Sequence, residues 1–115
     1  MGVTPKQIAE IVQASFVAGE PCEHEVSYAF AADLMSDVLT LTHENVLFIT
    51  GLVAPQTIRT AIVSDIHTIL IVRGKPVPRA IIDLAEENEI CMMISPHSMY
   101  RASGELYRAG LPPVF

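Results

Sequence analysis

The sequence predicts an α/β fold, a mostly parallel sheet of about four strands with helices on both faces. Three observations carry this. The runs Val46–Thr50, Thr68–Val72 and Ile90–Ile94 are short, apolar and abruptly ended. Each is followed within a few residues by a proline (Pro55, Pro78, Pro96) that opens a stretch with helical spacing. Proline is tolerated in the first helical turn, where the N–H it lacks would have no partner. A repeated strand–turn–helix cycle implies parallel pairing, because parallel neighbours need a crossover and a helix provides it.

In chain order, Thr4-Pro5-Lys6-Gln7 opens a helix predicted over residues 4–18. Thr4 caps it, Pro5 takes the first helical position and Gln7 completes a capping box. Ile8, Ile11, Val12 and Phe16 form its apolar stripe, and Gly19 offers the left-handed residue that ends helices. Val26–Ala31 alternates with period two. Val26, Tyr28 and Phe30 make a bulky face; Ser27, Ala29 and Ala31 make a small one. Asp33 is read as the cap of a short helix whose Leu34, Val38 and Leu41 face inward. Val46–Thr50 is the next strand. Pro55 begins a helix carrying Ile58, Ala61 and Ile62. Thr68–Val72 reads as a strand buried on both faces, and Arg73-Gly74-Lys75-Pro76 as a turn. A helix from Val77 to near Glu89 buries Ala80, Ile81, Leu84 and Ala85, and Ile90–Ile94 is the last strand. Ser95-Pro96 caps the final helix, with Met99, Ala102, Leu106 and Ala109 on one stripe and Tyr100, Ser103 and Tyr107 on its neighbour. Gly110 ends it, and Leu111–Phe115 is an extended apolar tail. The chain reads as one domain, 1–115, with its core over 20–111.

Composition bounds the partners. The net charge is −6 and the pI near 5.0. An acidic chain repels phosphate backbones and anionic lipid, which argues against nucleic-acid and membrane-surface binding. No apolar run approaches the ~20 residues that span a bilayer. The N-terminus reads as an amphipathic helix rather than a signal peptide, so the expected location is the cytoplasm. Cys91 lies in a predicted buried strand, where a thiol packs as a small hydrophobe. The spacing of Cys22 and Cys91 leaves free thiols and a disulfide both open. Half of the residues are hydrophobic, and mean hydropathy is +0.40. That excess, with Tyr28, Tyr100, Tyr107 and Phe115 as candidate interface residues, predicts a homodimer.

The chemical signals are sparse. Thr50–Thr57 follows a strand and precedes a helix but lacks the lysine and second glycine of an NTP-binding loop. No dinucleotide fingerprint, metal-ligand spacing or nucleophile–base pair is present, so no cofactor and no metal are expected. In open parallel sheets ligands sit at the carboxyl ends of the strands. Here those ends carry Ala32-Asp33, Thr50, Gly51, Arg73, Gly74, Lys75, Ser95-Pro96, His97 and Ser98, of which Thr50, Gly51, Arg73, Gly74, Lys75, Ser95 and His97 are the candidate rim for a small anion or phosphorylated ligand. The simpler reading has the glycines turning, Ser95 capping, and Arg73 and Lys75 solvated.

Val26–Leu39, with Asp33-Leu34-Met35-Ser36-Asp37 as its most specific part, resembles the opening of a DRTGG domain, a family similar to the N-terminal domain of HPr kinase/phosphorylase. Leu47–Gly51, Ile69–Gly74, Pro78–Ile94 and the closing Ser98–Tyr107 fit the same succession. Asp33, Ser36 and Asp37 are the family-motif residues. The eponymous motif is degenerate: around Glu23–Tyr28 there is no Asp-Arg pair and no glycine. The resemblance implies a non-catalytic regulatory or interaction domain, an accessory to other modules. It brings no kinase activity, because the kinase's phosphate loop belongs to a different domain. The alternative is a sensor that binds a nucleotide or small phosphorylated metabolite at the strand ends.

Overall fold

The computed structural model describes residues 2–20 and 22–115. Its centre is a five-stranded sheet in the order β1-β5-β4-β3-β2. The strands are β1 (Ser15–Ala18), β2 (Tyr28–Ala31), β3 (Val46–Thr50), β4 (Thr68–Ile71) and β5 (Cys91–Ile94). β2, β3, β4 and β5 run parallel, and β1 pairs antiparallel with β5. Register rows cross the parallel part: Phe30, Phe48, Ile69 and Met92 on one face, Ala31, Ile49, Leu70 and Met93 on the other. Helices α2 (Met35–Val38), α3 (Pro55–Val63) and α4 (Arg79–Glu87) cover the first face. Helices α1 (Pro5–Val12) and α5 (Met99–Arg108) cover the second. Every residue of β3 and β4 is buried, which is why neither strand alternates in sequence.

The first helix is shorter than the sequence suggests. Its capping box is as expected, Thr4 with Gln7, but it stops at Val12 rather than continuing to residue 18. Gln13 takes the left-handed conformation (φ 55°), and the Ala14 N–H donates to the Ala9 carbonyl at 2.8 Å. Residues 15–18 then form an antiparallel edge strand, so the sheet has a fifth strand. Three other helices stop in the same way. The left-handed residue is Asp65, Glu89 or Gly110, and the N–H of Ile66, Ile90 or Leu111 reaches five residues back. These three following residues are buried, completing the terminating motif by apolar contact. Only one of the four stops uses glycine, which explains why Gly19 misled.

Other boundaries also shift. Pro55 does sit in the first turn of α3. Pro78 is the N-cap of α4, and α5 is capped by Ser98, whose Oγ accepts from the Arg101 N–H at 3.1 Å, not by Ser95-Pro96. Val26 does not share a face with Tyr28 and Phe30. It packs with α1 and α5, while they pack against the opposite cluster. The Ser27 and Tyr28 N–H groups both point to the Asn45 carbonyl, a local irregularity that reverses the alternation before β2 begins. Leu34, Ile62, Ala80 and Ala109 are exposed rather than core. The tail lies along the outer edge of β2, with the Ala29 N–H donating to Pro112 and the Val114 N–H to Ala29. It thereby covers an edge that would otherwise present unpaired backbone groups.

Cys22 and Cys91 form a disulfide, with Cα atoms 5.6 Å apart. Cys91 is therefore not the packed free thiol expected from its strand. The bridge ties the connection after β1 to the start of β5 across 69 residues of sequence. Closing a loop of that length removes denatured-state entropy equivalent to ~4 kcal/mol in the chain-entropy account. Reduction is thus expected to lower the unfolding midpoint by on the order of 10 °C. Thermal melts with and without a reductant check this, and coincident melts would show that the bridge contributes nothing to stability.

Candidate functional site

The parallel register brings the carboxyl ends of four strands to one rim. Backbone hydrogen bonds stitch it together: Ala32 N–H to Ile49, Val72 N–H to Thr50, Ser95 N–H to Ile71. Beyond β4 the chain turns through Arg73 and Gly74, both at positive φ (67° and 60°). Their N–H groups donate to the carbonyls of His97 at 2.7 Å and Ser95 at 2.8 Å. A left-handed arginine is an uncommon conformation that surrounding structure has to hold. Here the loop after β5 holds it.

Asp33 is the hub. It does not cap α2, whose N-cap is Leu34 without a side-chain bond. Its Oδ1 accepts from the Gly51 N–H at 2.8 Å and from the Thr50 hydroxyl at 3.0 Å. Asp33 lies outside α2, the helix that carries Asp37. The Gly51 N–H holds the Asp33 carboxyl below its ordinary value of 3.8, against partial desolvation, which raises it; the Thr50 hydroxyl and the charges of Arg73 and Lys75 also lower it. Lys75 Nζ donates to the Gly51 carbonyl at 2.7 Å. The Arg73 guanidinium lies against Gly51, where a Cβ would come within 2.8 Å of its terminal nitrogen. A side chain at that position would have to displace the guanidinium.

The remaining rim residues are turned inward. Ser95 is fully buried; its Oγ donates to the Val12 carbonyl at 2.7 Å and accepts from the His97 N–H at 3.1 Å. His97 is buried as well and acts on the rim through its backbone. The rim residues named from sequence thus lie together, with Asp33 as the member whose contacts sequence reasoning misassigned. The available signal was the equivalence of Ala32-Asp33 and Thr50-Gly51 as neighbouring strand ends. Ser36 and Asp37 lie on α2, exposed and away from Gly51.

The candidate interface residues do not form one surface. Tyr28 is half-buried, edge-on to His43 with ring centroids 5.0 Å apart. Phe115 is exposed and meets Phe30 edge-on at 5.9 Å. Tyr100 and Tyr107 are 91% and 69% exposed on α5. A mostly apolar groove of about 690 Å³ lies beside them rather than at the rim. Among the described residues no group of three or more His, Cys, Asp or Glu side chains is arranged to hold a metal ion. Among the same residues no helix is long and apolar enough to cross a membrane.

Sheet and helix order are those of a mostly parallel α/β domain, and comparison with known proteins gives the class. The DRTGG domain profile matches residues 7–109, and the chain belongs to that family. No curated protein matches it in sequence. Its fold is similar to the crystal structure of the CBS and DRTGG domains of the regulatory region of Clostridium perfringens pyrophosphatase, complexed with the activator diadenosine tetraphosphate. The TM-score is 0.73 at 19% identity, over 96% of this chain and 48% of that one. The chain therefore spans about half the length of that regulatory region.

The Asp33 clamp has a pH signature. A depressed pKa means the folded state binds this proton less tightly than the unfolded chain does. Its stabilisation is complete above about pH 4 and is lost as pH falls through the lower folded value. An Asp33→Asn variant should lose this dependence, so the stability gap between wild type and variant should shrink on acidification. Denaturant midpoints followed from neutral pH to about pH 3 check it; a gap constant with pH would mean the ionised carboxylate has no part in the clamp.

Proposed function

We propose that the chain, taken as a single domain over residues 1–115, is a non-catalytic regulatory domain of the DRTGG type that works by association and carries a secondary capacity to sense an anion at the rim. The observation behind the first part is how the rim's polar groups are engaged. Asp33 is held by Gly51 and Thr50, Ser95 by Val12, and the His97 backbone by Arg73 and Ser95. Acid–base or nucleophilic chemistry needs a group free to reach substrate and a second group to activate it. These contacts serve to fix loops. The wider likeness to the N-terminal domain of HPr kinase/phosphorylase belongs to this reading, without the kinase's chemistry. So does a homodimer, the usual symmetric assembly for a small module with exposed aromatic residues.

The sensor reading is favoured by Arg73. It is an exposed guanidinium held by a strained backbone beside Lys75, at the strand ends where open α/β sheets take ligands. The fold neighbour is a regulatory region complexed with a dinucleotide polyphosphate, so that chemistry is the first to try. A thermal-shift series with diadenosine tetraphosphate, ATP and inorganic phosphate separates the two parts. A ligand at 100 times its dissociation constant stabilises by ~2.7 kcal/mol. The sensor reading expects a saturable shift that Arg73→Ala abolishes. No shift from any of the three leaves association as the function, and turnover of the same compounds by the purified protein would overturn the non-catalytic assignment.

We place the domain in the cytoplasm, where glutathione and thioredoxin keep most thiols reduced. Acid-quenched alkylation of cell extracts should then find Cys22 and Cys91 as two thiols. A fully bridged chain would assign it to an oxidising compartment instead.

A further inference from the structure

Helix α5 buries Ala102 and Leu106 against the sheet and turns Tyr100, Arg101, Gly104, Tyr107 and Arg108 outward. The outward set has an internal order. A helix turns ~100° per residue, so Tyr100 and Tyr107 lie roughly 40–60° to one side of Gly104 and Arg101 and Arg108 roughly the same angle to the other. The dipeptide Tyr-Arg thus occurs twice, two turns apart, with Gly104 midway between. Nothing inside the molecule calls for that glycine. A Cβ there would meet no atom within 4 Å, φ is not positive, and glycine is the poorest helix former after proline. A missing side chain in the middle of an exposed helical face makes sense when another backbone comes close.

We infer that the outer face of α5 is an interface with α5 of a second copy of this chain, the two helices parallel, related by a two-fold axis along them, and closest at Gly104. Charge and ring complementarity select this occupant and this direction. In the parallel arrangement the tyrosine flank of each copy faces the arginine flank of the other at nearly equal height. That gives Tyr100 with the second copy's Arg101, Tyr107 with its Arg108, and both pairs again by symmetry. Guanidinium groups stack on aromatic faces, more strongly where water is excluded. Arg108 is already bonded edge-on to Glu105 of its own helix at 3.2 Å, which leaves its flat face free. In the antiparallel arrangement arginine would face arginine and tyrosine would face tyrosine. The apolar groove beside α5 is lined by Tyr100, Arg101, Tyr107 and Arg108 and floored by Ala29, Ala31 and Pro113, so this face carries uncovered apolar surface next to both flanks. The inference rests on the homodimer reading above and adds to it the surface and the orientation.

Sedimentation and light scattering over a dilution series, with four variants, provide the test. The wild type should show a dimer that dissociates on dilution. The surface substitutions Arg101→Ala with Arg108→Ala should raise its dissociation constant at least about tenfold, since four cation–π pairs are removed. With Cys22 and Cys91 bridged, Gly104→Cys and Tyr100→Cys each introduce the one free thiol. Both should form covalent dimers under mild oxidation, because parallel helices bring like positions together, while Val63→Cys on the opposite face should not. A dimer that ignores the arginine substitutions and leaves the Gly104→Cys thiol uncrosslinked overturns this interface while the homodimer stands. Crosslinking at Gly104→Cys but not at Tyr100→Cys overturns the parallel direction. A monomer mass at every concentration, with circular dichroism reporting folded variants, overturns both readings.

Discussion

Four parallel strands side by side bring four carboxyl ends to one edge, and most of what distinguishes this chain follows from that alignment. Parallel pairing demands crossovers, and the crossovers place helices on both faces, so the strands between them must be apolar on both sides. Polar side chains are left with few places to converge except where strands end. Ala32-Asp33, Thr50-Gly51, Arg73-Gly74 and Ser95 lie beside one another because the ladders run in register, although 63 positions separate the first from the last in sequence. The Asp33 carboxylate then closes β2 to β3 with bonds to the Gly51 N–H and the Thr50 hydroxyl. The Arg73–His97 and Gly74–Ser95 bonds close β4 to the loop after β5 in the same way.

The parallel part of the sheet was legible because burial on both faces leaves a mark in sequence. Val46–Thr50 and Thr68–Val72 are apolar without alternation, and turn residues bound them. The edge was less legible, for physical reasons. Ser15–Ala18 is short and only partly buried, and Phe16 stands four residues after Val12, so the helical stripe continues through a strand without a break. The stop signal is a left-handed Gln13, and no composition rule marks glutamine as a helix terminator. Asp65 and Glu89 serve the same purpose, so the protein ends its helices by the buried apolar residue that follows and not by the residue that turns. Asp33 was misread because a carboxylate just before a helix has a local use, capping, and a distant one. The distant use exists only once β2 and β3 are paired.

The rim's location was legible, and its chemistry was not. Residue type placed cations and hydroxyls at the strand ends; only coordinates show how many are already bonded. Ser95 is inside the molecule, holding the end of α1 through Val12. His97 contributes a carbonyl and an N–H from its backbone. Arg73 remains exposed, carried on a left-handed turn beside Lys75, and so does Asp33 beside Gly51.

The rim and the outer face of α5 share a physical connection. His97, whose carbonyl holds the Arg73 N–H at 2.7 Å, is followed directly by Ser98, the N-cap of α5. Displacing Arg73 means breaking or bending a bond one residue before that cap. Displacing α5 means moving the carbonyl that keeps Arg73 in its strained conformation. Effects at sites with no common contacts add independently, whereas sites that share a hydrogen bond do not. Any free energy an anion gains at Arg73 by altering this bond is felt at the start of α5. By linkage, any free energy gained along α5 by altering it is returned at the rim. The bond between Arg73 and His97 therefore ties the rim to the start of α5, one residue before its cap.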